Sequence, residues 1–126
     1  MNPPDPAQWR ARGDWFARAR EANAGPEAPS LTEREDRLLG ELELAFRAGA
    51  WTACVLLAYT LAEGAARHRD EPEPEFELLR ERRNMFAHGG SAHSDTAEMP
   101  PDETLELYAQ SAVRMAMRAL GERAWR

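Results

Sequence analysis

The sequence predicts an all-α fold, an antiparallel helical bundle of about four main helices plus a short N-terminal helix. Three observations predict it. Apolar residues recur at i, i+3 and i+4 through successive long stretches. Those stretches are separated by helix-start and helix-stop residues, namely Asp5-Pro6, Gly25-Pro26, Gly49, Pro72 and Pro74, Gly89-Gly90, and Pro100-Pro101. No stretch alternates apolar and polar residues as a half-buried strand does.

The elements follow in order. Asp5-Pro6 reads as an N-cap followed by the first helical position, with Trp9, Phe16 and Ala19 on one face and Gly13 weakening the middle. NAGPEAPS, residues 23–30, is a loop by composition. Ser30-Leu31-Thr32-Glu33 has the spacing of a capping box, and Glu33, Glu35 and Asp36 crowd the first turn that follows. Leu38, Leu39, Leu42, Ala45 and Phe46 carry that helix to about residue 48, where Gly49 turns the chain. The next helix, AWTACVLLAYTLAEGAARHR, is apolar on nearly every side and belongs at the centre of the bundle. Its few polar residues include Thr52, Tyr59 and Glu63, which fall on one line. Pro72 and Pro74 break the chain, and a further helix starts from about Phe76. After the loop GGSAHSDTAEM, Pro100-Pro101-Asp102-Glu103 restarts a helix whose buried face carries Leu105, Tyr108, Ala112, Met115 and Ala119. The expected division is an N-terminal helix and linker over 1–30 and the bundle over 31–126, one compact domain in all.

The 126 residues suffice for one hydrophobic core and not for two. No apolar run approaches the ~18 residues that span a bilayer. The N-terminus also lacks the apolar centre of a signal peptide, so a cytoplasmic protein without a membrane partner is expected. Cys54, the single cysteine, cannot form an internal disulfide, and no histidine or cation stands beside it in sequence to activate it. The net charge is −6, and all 16 basic residues are arginines. An acidic chain is a poor general binder of nucleic acid, so any RNA contact has to be local or shared with a partner.

The stretch that bears on chemistry is ELLRERRNMFAHGG, residues 77–90. On a helix, Leu78, Leu79, Met85 and Phe86 define an apolar side. Arg82 falls near its middle and Arg83 near its edge, so each guanidinium has to snorkel, pair with an acid, or face an opening between subunits. Arg83 and His88 are separated by about 140° on a regular helix. To meet at one target they need a distortion at the glycines or a groove between two copies of the helix.

Arg83-Asn84, three residues and then His88 resembles the signature of HEPN domains (higher eukaryotes and prokaryotes nucleotide-binding). The preceding apolar helix with its late glutamate, YTLAEGAAR, and the long amphipathic helix that follows are also similar to that family, over roughly residues 31–123. The resemblance is to a small stand-alone member of bacterial type. It implies a homodimer and a metal-independent endoribonuclease, in the manner of toxins and phage-defence effectors, with RNA as substrate and an antitoxin or other protein as a possible partner. Carried over, Arg83 and His88 are the catalytic residues. His88 is the general acid or base for attack of the ribose 2′-hydroxyl on the adjacent phosphate. Arg83 holds the phosphate charge in the transition state. Asn84 and Glu63 have supporting roles. No cofactor and no metal are implied. In family members paired with a nucleotidyltransferase antitoxin, a tyrosine two residues after the histidine receives the modification. Gly90 stands there, so control by adenylylation at that position is not expected.

Plainer readings compete. His88 could cap its helix, where the dipole favours a histidine. Arg83 could pair with Glu63 or Glu77, and Glu63 with Arg67. His88, His93 and Asp95 have no compact metal-ligand spacing. Trp9, Trp15, Trp51 and Trp125 read as packing anchors rather than base-stacking platforms. The runner-up function is a non-catalytic HEPN-like interaction module that binds a protein or nucleotide and holds its arginines in fixed contacts.

Overall fold

The computed structural model describes residues 3–23, 31–66, 74–87 and 99–123. They form five helices with no strand among the described residues: α1 (Pro6–Asn23), α2 (Glu33–Ala48), α3 (Trp51–Ala66), α4 (Pro74–Ala87) and α5 (Asp102–Arg123). The all-α bundle expected from the periodicity is what the chain adopts.

The helix ends show how local sequence sets the boundaries. At α1, the Asp5 carboxylate accepts from the Gln8 N–H at 2.8 Å, and the Gln8 side-chain oxygen accepts from the Asp5 N–H at 3.0 Å. This closes a capping box around Pro6, whose missing N–H costs nothing at the first helical position. The α2 box sits two residues later than the Ser30–Glu33 spacing suggests. Thr32 Oγ1 accepts from the Glu35 N–H at 3.1 Å, and Glu35 Oε1 accepts from the Thr32 N–H at 2.9 Å. Thr32-x-x-Glu35 has the same chemistry, and choosing it lets Leu31 pack against the core just before the cap. Ser30 lies outside the described residues, as do Gly25-Pro26. The sequence places the start of α4 near Phe76, yet the helix begins at Pro74. A proline breaks a helix interior but is well suited to its first turn.

The α2–α3 connection is tight. Gly49 adopts φ 75°, and its N–H reaches the Ala45 and Phe46 carbonyls while the Ala50 N–H bonds Ala45 at 2.9 Å. Only glycine takes that left-handed conformation without strain, so the last carbonyls of α2 are satisfied within two residues.

Helix α3 is the centre of the assembly. It packs most extensively on α5 and also contacts α2 and α4. Both α3 and α5 bury alanines at helical spacing, Ala58, Ala62 and Ala65 on one and Ala109, Ala112, Ala116 and Ala119 on the other. Small side chains let helix backbones approach closely, which explains the extent of that contact. Phe16 and Ala19 of α1 belong to the same buried cluster as Leu42 and Phe46 of α2 and Val113 of α5. Gly13 does not merely weaken α1. A Cβ there would collide with the Arg47 guanidinium of α2, so the glycine lets that side chain cross. Arg47 Nε bonds Glu43 at 3.1 Å, and Arg12 Nη1 donates to the Arg47 carbonyl at 3.1 Å. By contrast, α4 packs chiefly on α3 and touches α5 sparsely. A groove between α4 and α5 follows from this. No helix among the described residues is long and apolar enough to cross a membrane.

Candidate active site

Arg82 and Arg83 are neighbours on α4, and the 100° turn between them sends them to different helices. The Arg83 guanidinium carbon lies 4.3 Å over the Tyr59 ring of α3, and the Arg82 carbon lies 3.9 Å over the Tyr108 ring of α5. Phe76, seven residues before Arg83 and on the same stripe of α4, stacks on Tyr59 with centroids 5.6 Å apart. Of the three options the sequence left for these arginines, both take the first. Each guanidinium reaches past the apolar side to an aromatic face, where the ring quadrupole attracts it.

What Arg83 lacks is informative. Among the described residues no carboxylate forms an ion pair with it, so neither the Glu63 nor the Glu77 pairing is present there. Its Nε is buried and has no hydrogen-bond partner among the described residues. A buried unsatisfied donor costs about 1–3 kcal/mol, and buried polar groups are normally paired. Stacking occupies the face of the guanidinium and leaves its in-plane N–H donors without a partner among the described residues.

The other expected residues fall as follows. Asn84, next to Arg83, is half-buried and makes no hydrogen bond with any described residue. Glu63 is exposed on α3, one helical turn beyond the Tyr59 that carries Arg83. Tyr59 carries Arg83, while no hydrogen bond or ion pair among the described residues joins Glu63 or Asn84 to Arg83. His88 lies outside the described residues, as do Gly89-Gly90, Arg67, His68, His93, Asp95 and Trp125. Trp51 is buried and Trp15 half-buried against the core, as packing anchors should be, while Trp9 sits at the surface with Arg47 5.8 Å over its ring.

Two features went unread in the sequence. Tyr59 stood out there only as a polar position, and nothing in linear order pairs it with Arg83. The second is a groove of ≈ 400 Å³ between α4 and α5, into which Arg82, Arg114 and Arg118 project. Its signal was present as Ser111, Arg114, Met115 and Arg118, an i, i+3, i+4, i+7 stripe on α5.

Cys54 is excluded from the chemistry by its surroundings. It is fully buried in the core, and desolvation pushes its thiol up to about 12 from 9.0. Burial favours the neutral thiol, so this contribution to stability is complete below 9.0 and is lost as pH rises toward 12. The expected result is slow labelling by a disulfide reagent at neutral pH in the native protein and prompt labelling in denaturant. Equal rates in the two conditions would contradict the buried placement.

Comparison of the chain with known family models, with curated proteins and with solved structures finds no match.

Proposed function

We propose that this protein is a metal-independent endoribonuclease of HEPN type that works as a homodimer. The observation that carries the reading is Arg83. It is a permanent cation held by Tyr59 at the α3–α4 junction, without a carboxylate partner among the described residues, one residue before Asn84 and five before His88. A cation positioned by stacking and not neutralised is ready to receive an anion, and the RNA phosphodiester is the anion this chemistry addresses.

In the proposed reaction the ribose 2′-oxygen attacks the adjacent phosphorus and the bond to the 5′-oxygen breaks. The 2′-hydroxyl proton passes to a basic imidazole, and the departing 5′-oxygen takes a proton. The products are a 2′,3′-cyclic phosphate and a free 5′-hydroxyl. His88 serves as the acid or base, Arg83 stabilises charge on the phosphoryl oxygens, and Asn84 orients one or the other. Glu63 supports the site from α3. A groove between two copies of α4 would supply an arginine and a histidine from each, which removes the angular conflict within one helix.

The second reading, a non-catalytic HEPN-like module that binds a partner protein or nucleotide, is favoured by the same stacks. Arg82 and Arg83 rest on Tyr108 and Tyr59, and such contacts can serve packing alone. Incubation with a mixed RNA pool in EDTA separates the two. Ribonuclease action gives cyclic-phosphate ends that fall by about 10²–10⁴ in His88→Ala. Intact RNA from a folded, dimeric wild type would leave the interaction module as the better account.

A further inference from the structure

The groove between α4 and α5 is chemically unlike the rest of this acidic chain. Its apolar lining is Leu79 and Met115, both buried, and Leu78, 44% exposed. Three arginines from two helices surround these, Arg82 from α4 with Arg114 and Arg118 from α5, and no carboxylate lines it. The hydroxyl of Ser111 completes the lining. In a protein of net charge −6, three guanidinia converge on one apolar-based groove.

Two of these cations are set in place much as Arg83 is. Arg82 lies 3.9 Å over Tyr108, and Arg114, although exposed, lies 5.0 Å over Trp15. Neither has an ion pair among the described residues. Their faces are occupied by aromatic rings, while their N–H edges remain for an anion that can accept forked hydrogen bonds. Arg114 and Arg118 are four apart, so they rise about 6 Å along α5. That step is comparable to the distance between successive phosphates of an extended strand, and it exceeds what one isolated phosphate needs. The groove also adjoins the candidate active site, because Arg82 and Arg83 are consecutive on α4.

We propose that the α4–α5 groove is a strand-binding subsite. It holds phosphates of single-stranded RNA on Arg82, Arg114 and Arg118, with a base against Leu78, Leu79 and Met115. The identity of the strand rests on the ribonuclease reading. The subsite supplies the local positive surface that an acidic chain requires to hold RNA. It lies about 100° around α4 from the Tyr59 stack, so the strand passes from the groove over the edge of α4 toward Arg83.

The test uses a labelled single-stranded oligonucleotide whose 2′-hydroxyls are methylated, so that binding is read without cleavage. Its affinity for the full chain is measured by fluorescence anisotropy across a salt series. Arg114→Ala/Arg118→Ala is expected to bind at least tenfold more weakly, with the slope of log affinity against log salt reduced by about 1.4, the value for two lost single-strand contacts. Arg18→Ala/Arg37→Ala removes the same charge from exposed positions on α1 and α2 and is expected to bind like wild type. Ser111→Glu introduces a carboxylate at an exposed helical position without removing any packing, and it is expected to weaken binding as well. It therefore reports on the groove even if the double variant folds poorly. Equal loss in the α1–α2 control, undiminished binding in the groove variants, or no binding by wild type each overturns the subsite. So does tighter binding of an acidic peptide that is lost in the groove variants, which would mark a protein-docking groove instead. Strand binding that depends on the groove, in a wild type that cuts no unmodified RNA, sustains the subsite and removes the catalytic reading. Cleavage by a protein whose groove variants bind normally does the reverse.

Discussion

Arg83→Met is expected to lose RNA cleavage by about 10²–10³-fold while melting no lower than the unaltered protein. The two halves of this prediction come from the same geometry. Methionine is unbranched and close to the length of the arginine stem, so it can lie along α4 and contact the Tyr59 ring. It also removes the buried Nε that has no partner among the described residues, and an unpaired buried donor costs about 1–3 kcal/mol. The transition state, in contrast, loses a fixed cation at the phosphate, and a flexible thioether offers no donor in its place.

Arg83→Lys sharpens the same test. Lysine keeps the charge but has neither the planar face that stacks at 4.3 Å on Tyr59 nor the fork that grips two phosphoryl oxygens. Cleavage is expected to fall nearly as far as in Arg83→Met, with substrate binding less affected. The measurements are single-turnover rates on a short RNA in EDTA and thermal melting by circular dichroism. Full activity in Arg83→Met, or a melting temperature reduced by several degrees in step with activity, would make Arg83 a packing residue.

How far the sequence discloses all this depends on which kind of neighbour a residue meets. Helical periodicity reports residues that share a face of one helix, so the central position of α3 and the buried face of α5 were legible. Boundaries were less so where two residues offer equivalent chemistry. Thr32 and Glu35 cap α2 with the same spacing that Ser30 and Glu33 offer two residues earlier, and Pro74 starts α4 because a first-turn proline loses no hydrogen bond. Within the candidate site, Arg83 and Asn84 are visible through the motif, and Arg83 rests on Tyr59 of α3. The Tyr59 platform was not visible, because periodicity gives the angle of Arg83 on α4 and not which helix lies across from it. The α4–α5 groove was half visible. Its α5 stripe can be read in order, but that Arg82 faces the stripe follows from the sparse packing of α4 on α5. Gly13 carries the same lesson, since its reason is the guanidinium of a residue 34 positions away.

The largest loss of stability is expected from Phe46→Ala. Phe46 is only 1% exposed and joins three helices at once. Trp15 of α1 stacks on it at 4.7 Å and 19°, Trp51 of α3 meets it edge-on at 5.3 Å, and Phe16 lies tilted at 6.2 Å. Truncation removes the ring all three pack against, and indoles held by separate helices cannot collapse into the space without moving those helices. A buried phenylalanine replaced by alanine costs about 3–5 kcal/mol, the upper part applying where the cavity cannot close. For a chain of this size that corresponds to a fall in melting temperature on the order of 10–20 °C. Phe46→Leu retains most of the volume and is expected to cost a fraction of this, so the pair separates lost volume from lost ring contacts. A fall of only a few degrees in Phe46→Ala would mean that α1 contributes little to the core. The aromatic cluster lies where α1, α2 and α3 meet, whereas Arg83 is held between α3 and α4. Below the lowered melting temperature, the Arg83–Tyr59 stack should therefore survive, whereas Arg114, which rests on Trp15, loses part of its support and strand binding should weaken.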